Sequence, residues 1–214
     1  MKKNGLSKMA MGTFYEFFAG GGMARAGLGI NLRCLFANDF DQKKCNSYTR
    51  NWGGSEIKSG DVRSVSTSDL PSHANLVWAS FPCQDLSLAG GGAGLKGERS
   101  GTFWPFWDLM KSLVAEKRAP EIIVLENVCG TLTSHGGKDF SAICSALQDT
   151  GYRFGALVME AALFVPHSRP RLFVIAIRDD LNVPEDMVDE EPMSIWQTVT
   201  LKTEYGNMLP KVKQ

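Results

Sequence analysis

Two stretches, ANLVWASF (74–81) and EIIVLENV (121–128), are apolar almost without a break over the length of a β-strand. A strand with one dry face alternates apolar and polar residues. A continuous run needs both faces covered, which is the situation of a strand inside a parallel sheet flanked by helices. TFWPFWDLMKSLVAEKR, between the two runs, has helical periodicity, and KDFSAICSALQDTGYRF, after the second, reads as helix then strand. Upstream, TFYEFFA (13–19) and LRCLFAND (32–39) are strand candidates. A glycine-rich turn and short helix follow the first, and a polar helix through DQKKCNSYTRNW follows the second. A short extended piece ends at SGDV (59–62), and RLFVIAIRDD is the last strong strand. The alternation implies an α/β fold with a doubly wound, mostly parallel sheet and helices on both faces.

With 214 residues, 43% of them hydrophobic, the chain is long enough for one such domain with a real core. The expected organisation is an N-terminal extension (1–12), a main domain (13–178) and an acidic linker with a C-terminal tail (179–214). Lysine plus arginine equal aspartate plus glutamate at 23 each, so net charge gives no sign of a polyanionic partner. The five cysteines are scattered without a Cys-x-x-Cys pair, which predicts reduced thiols in a cytoplasmic protein and neither a disulfide framework nor a metal site. MKKNGLSKMAMG lacks the apolar core of a signal peptide, and no run approaches membrane-spanning length.

In open α/β sheets, ligands gather beyond the carboxyl ends of the strands. Gly20, Gly22, Asp39, Asp61, Cys83, Glu126 and Asn127 all fall at or just past such ends and are expected to converge on one crevice. EFFAGGGMARAGL (16–28) is a strand, a glycine turn and a helix start, where bare backbone and unpaired N–H groups accept a close ligand. Asp39 suits ribose hydroxyls, and the ring of Phe40 suits an adenine. With no Gly-x-x-x-x-Gly-Lys-Ser/Thr loop, the ligand is expected to be a dinucleotide or S-adenosylmethionine.

FPCQ (81–84) sets a thiol behind a stiffening proline, at the head of a glycine-rich stretch, where an apolar strand gives out. That is the setting of a nucleophile and not of a buried, inert cysteine. Glu126 closes the most apolar run of the chain, a place where an unpaired charge is costly, and suits a proton shared with a substrate ring nitrogen. In PHSRPRLF (166–173), Arg169 and Arg171 are two apart, on one face of an extended segment, and suit a carbonyl, a phosphate or Glu126 itself. A Cys–His hydrolase built from Cys83 with His167 or His135 leaves the glycine turn and Asp39 unexplained.

Taken in order, these stretches resemble the DNA cytosine-5 methyltransferases over about residues 13–178. FFAGGG looks like the first, cofactor-binding motif, ND with Phe40 the second and GDV the third. FPCQDLS resembles the nucleophile motif, GERSGTFWPFWDL the cofactor and loop motif after it, ENV the glutamate motif, and HSRPR the Gln-x-Arg-x-Arg motif. The resemblance implies a class I S-adenosylmethionine-dependent fold and methyl transfer to C5 of a flipped-out cytosine in double-stranded DNA. It implies that Cys83 adds to C6, Glu126 acts at N3 and Arg169 helps hold O2, with Arg171 in the same motif. It further implies cofactor contacts from Phe18, Gly20, Gly22, Asp39, Phe40, Asp61, Val62 and Phe103, and nucleic-acid contacts from Gln84, Ser87 and Asn127.

Met23 stands at a usual glycine, Glu16 at a commoner aspartate, and His167 at the glutamine of the arginine motif. No stretch is large enough for the family's target-recognition domain, and EYGNMLPKV (204–212) is only faintly similar to its tenth motif. The expectation is therefore a truncated enzyme or one half of a split one, with recognition supplied by a second polypeptide, in a bacterial or phage restriction-modification setting. Two alternatives are a non-catalytic relative that binds cofactor, DNA or a partner chain, and a transfer-RNA cytosine-5 methyltransferase.

Overall fold

A computed structural model describes residues 12–82, 100–187 and 196–208. Its described strands form one seven-stranded sheet in the order β3-β2-β1-β4-β5-β7-β6. These are β1 Gly12–Phe17, β2 Leu32–Asp39, β3 Ile57–Ser59, β4 Leu76–Ala79, β5 Ile122–Val128, β6 Tyr152–Glu160 and β7 Pro170–Arg178. From β3 through β5 every pairing is parallel, and β7 runs antiparallel to both β5 and β6. The expected doubly wound, mostly parallel sheet is present. The chain steps outward from β1 to β2 and β3, then returns to lay β4 on the other side of β1. That reversal opens a crevice between the carboxyl ends of β1 and β4.

The helices are α1 Met23–Leu28, α2 Gln42–Trp52, α3 Phe103–Ala115, α4 Gly130–Thr133, α5 Lys138–Asp149 and α6 Val199–Asn207. Asp41 starts α2 by accepting the amides of Lys43 and Lys44, an N-cap that satisfies two otherwise orphaned donors. Along α3, Phe103, Phe106, Trp107, Met110 and Leu113 recur at helical spacing and are all buried, so one stripe faces the sheet. On that side they join Tyr15, Phe17, Val77, Ala79, Ile123 and Leu125 with the apolar stripe of α5 in one core. Phe14, Ala19, Cys34, Ala37 and Tyr48 form a second cluster, in which β1 and β2 meet α2; a register shift in the β1–β2 pair brings Cys34 and Ala37 to the same face.

The segment expected to be linker and tail carries α6, with Leu201 and Met208 in the main core and Tyr205 edge-on to Phe154. Trp196 lies along the outer strand: the amide of Val158 donates to its carbonyl at 2.8 Å. No helix among the described residues is long and apolar enough to cross a membrane.

Candidate active site

The glycine turn begins where β1 ends. Phe18, Gly20 and Gly22 take φ values of +57°, +57° and +84°, and two β2 groups pin the turn. The Asn38 carbonyl accepts the Ala19 amide at 2.9 Å, and the Asp39 carboxylate accepts the Gly20 amide at 2.8 Å. The other oxygen of Asp39 accepts the Asp41 amide at 2.8 Å. This buried carboxylate is thus locked by backbone donors, with lone pairs to spare for a hydroxyl. Beside it, Phe40 projects its ring into solvent, 76% exposed. Asn38 donates to the carbonyls of Lys58 and Gly60, which brings Asp61 alongside. Asp61 caps the turn after β3 and pairs with Arg63 at 2.8 Å, while Val62 is buried beneath. Phe103, expected at the cofactor, has no exposed surface; it packs among Phe81, Phe106 and Trp107 and backs the crevice from within the core.

Glu16 belongs to this half of the crevice and was missed as a site residue. Its side chain is 1% exposed, one oxygen receives the Arg25 amide at 3.4 Å, and the other has no hydrogen-bond partner. Burial pushes its carboxyl up to about 7. The signal lay in the sequence: a lone carboxylate inside the apolar run TFYEFF is as costly there as Glu126 is at the end of β5.

On the other side of β4, Glu126 and Arg171 face each other across the β5–β7 pair, with Arg171 Nε 3.1 Å from Glu126 Oε1. Both side chains keep about a fifth of their surface exposed, so the pair is open to a ligand. Arg169, which the resemblance sets at O2 of the reacting ring, is not the arginine that pairs with Glu126. Arg169 precedes β7 and is exposed, and its amide is held by the Glu160 carboxylate; it is Arg171 that meets Glu126.

Asn127, expected at the nucleic acid, is buried in this structure. Alternation along β5 turns it into the protein, 5% exposed, where its amide donates to the Phe81 carbonyl at 3.1 Å. Its oxygen accepts from the Val128 amide and the Thr131 hydroxyl. It therefore clamps the backbone two residues ahead of Cys83 and presents nothing to a nucleic acid. Cys83, Gln84 and Ser87 lie outside the described residues. Of the hydrolase candidates, His135 is paired with Asp139 at 2.9 Å, and His167 sits on the exposed β6–β7 connection. No cluster able to hold a metal ion occurs among the described residues.

The crevice therefore has a glycine-turn and carboxylate half on β1–β2–β3 and an acid–guanidinium half on β5–β7, with β4 between them. Comparisons with known proteins give the family. The model of the C-5 cytosine-specific DNA methylase family matches residues 12–213. The type II methyltransferase M.BsuFI of Bacillus subtilis is 31% identical over 173 residues, covering 80% of this chain and 40% of that protein. The type II methyltransferase M.HhaI of Haemophilus parahaemolyticus is 31% identical over 172 residues, covering 79% and 50%. The chain thus spans about half the length of these curated relatives, or less. Among solved structures, the methyltransferase EhMeth of Entamoeba histolytica superposes with a TM-score of 0.66 at 22% identity, over 85% of this chain and 57% of that one. The chain belongs to the C-5 cytosine-specific DNA methylase family.

Proposed function

We propose that this chain is the catalytic and cofactor-binding part of a DNA cytosine-5 methyltransferase. The observation that carries the reading is the open Glu126–Arg171 pair beside the strand that leads into Cys83. A cytosine turned out of the duplex presents N3 and O2 on one edge and C6 to a nucleophile. Glu126 shares a proton with N3 while Arg171 holds O2 and steadies Glu126. The Cys83 thiolate adds to C6, and the electron pair of the C5–C6 double bond moves to C5, which becomes the nucleophile. When bound, S-adenosylmethionine supplies the electrophilic methyl group that C5 takes up. Loss of the C5 proton then restores the double bond, the C6–S bond breaks, and the thiolate is regenerated.

The crevice residues fit this cofactor. Glu16 offers a buried, unpartnered oxygen to an ammonium group, Asp39 suits ribose hydroxyls, and Phe40 has a free ring for adenine. We also infer that residues outside this chain, on a second polypeptide or further sequence, read the DNA target, because the matched relatives are about twice as long or more. Tritiated methyl transfer from S-adenosylmethionine to DNA, with 5-methylcytosine identified by mass spectrometry, tests the reading. Label in 5-methylcytosine that disappears with Cys83→Ala supports it. Cofactor binding with no transfer to any DNA, even with candidate recognition chains added, contradicts it.

A further inference from the structure

We propose that Trp52, at the last position of α2, is a positioning residue for the cofactor turn: its indole N–H sets the peptide that leaves the Gly21 amide free for the ligand. This rests on the cofactor reading above. Trp52 Nε1 donates to the Gly21 carbonyl at 3.1 Å. The same peptide is held at its other end, since the Gly22 amide donates to the Ala19 carbonyl at 2.9 Å. Carbonyl and N–H of a trans peptide point in opposite directions, so the two bonds together fix the plane between Gly21 and Gly22. The peptide joining Ala19 and Gly20 is fixed likewise, its carbonyl by Gly22 and its N–H by Asp39. Between these two locked planes the Gly21 amide has no partner among the described residues. A tight turn thus presents one aimed, unpaired donor, as suits an anionic or polar ligand group.

The indole is seated firmly enough to do this. A Cβ added at Gly22 would lie 2.2 Å from Trp52 Nε1 and 2.7 Å from Cδ1, and φ of +84° at that position already favours glycine. The Arg25 guanidinium sits over the Trp52 ring at 5.0 Å and over the Tyr48 ring at 5.6 Å, and it donates to the Tyr48 hydroxyl at 2.9 Å. One α1 side chain thus presses two α2 rings against the turn.

Two substitutions separate the hydrogen bond from the packing. Trp52→Phe keeps a six-membered ring and loses the donor. Trp52→His loses bulk, but its Cδ2 and Nε2 occupy the places of the indole Cδ1 and Nε1, so a donor survives. Calorimetric titration with S-adenosylmethionine, alongside thermal unfolding, is expected to show Trp52→Phe weakened roughly three- to tenfold and Trp52→His closer to the parent. Amide exchange at Gly22, whose N–H is bonded to the Ala19 carbonyl, is expected to quicken in Trp52→Phe. Unchanged affinity in Trp52→Phe, or a greater loss in Trp52→His than in Trp52→Phe, overturns the proposal in favour of plain packing. A parent chain that takes up no S-adenosylmethionine refutes the cofactor reading itself, a result distinguishable from either.

Discussion

Arg169 and Arg171 share a motif and an expected strand face, yet among the described residues Arg171 is the one that meets Glu126. The β5–β7 register decides this: Val128 stands opposite Arg171, and Arg169 falls beyond the pairing. Arg171→Ala is therefore expected to slow methyl transfer by roughly a hundredfold or more, and Arg169→Ala by less than about tenfold, in single-turnover assays. Glu16 gives a second test at this scale. Burial raises its carboxyl from 4.5 to about 7, so the folded chain binds that proton more tightly than the unfolded one. The resulting stability is present in full below pH 4.5 and is lost as pH rises towards 7. The ceiling is about 3 kcal/mol at 1.36 kcal/mol per pH unit. Denaturant unfolding of the parent and Glu16→Gln across pH 5–8 is expected to show the gap moving in favour of the variant as pH rises; parallel curves contradict the assignment.

At the scale of elements, the strands were legible because continuous apolar runs leave a buried parallel strand as almost the only solution. Each predicted strand overlaps an observed one, though β6 runs to Glu160, well past the end of its predicted segment at Phe154, and α2 and α3 occupy their predicted segments. The inward turn of Asn127 was legible too, since it shares parity with Ile123 and Leu125, both buried. The motif resemblance drew it outward instead. Sequence did not reveal that β7 runs against its neighbours, because an apolar strand reads the same in either direction. Nor did it reveal that α6 docks: one buried leucine in a polar segment makes a weak pattern, and the contact is decided by α4 and β6. Asn127→Ala leaves the Phe81 carbonyl unpaired in the interior. A loss of roughly 1–3 kcal/mol in urea unfolding is expected, together with slower chemistry at Cys83, as the backbone leading to it loosens. Full activity in a destabilised Asn127→Ala would sink the second half of that statement.

Across the whole molecule, the proposed cofactor half and base half lie on opposite sides of β4, the strand that precedes Cys83 in sequence. A methyl donor on the β1 side and a pyrimidine on the β5 side can meet only at that strand's carboxyl end. The chain is formally neutral, which fits a part that does the chemistry while a basic surface elsewhere holds the phosphates. The most direct measurement uses a random-sequence DNA pool in which every cytosine is 5-fluorocytosine, so that no single target sequence is required. The fluorine cannot leave as a proton does, and the enzyme stays bonded to the ring after methylation. Incubation with S-adenosylmethionine and intact-mass spectrometry are expected to find a denaturation-stable protein–DNA adduct. Digestion should map it to the peptide holding Cys83, and Cys83→Ala should abolish it. An adduct at any other cysteine, or 5-methylcytosine formed in ordinary DNA by the Cys83→Ala protein, contradicts the account.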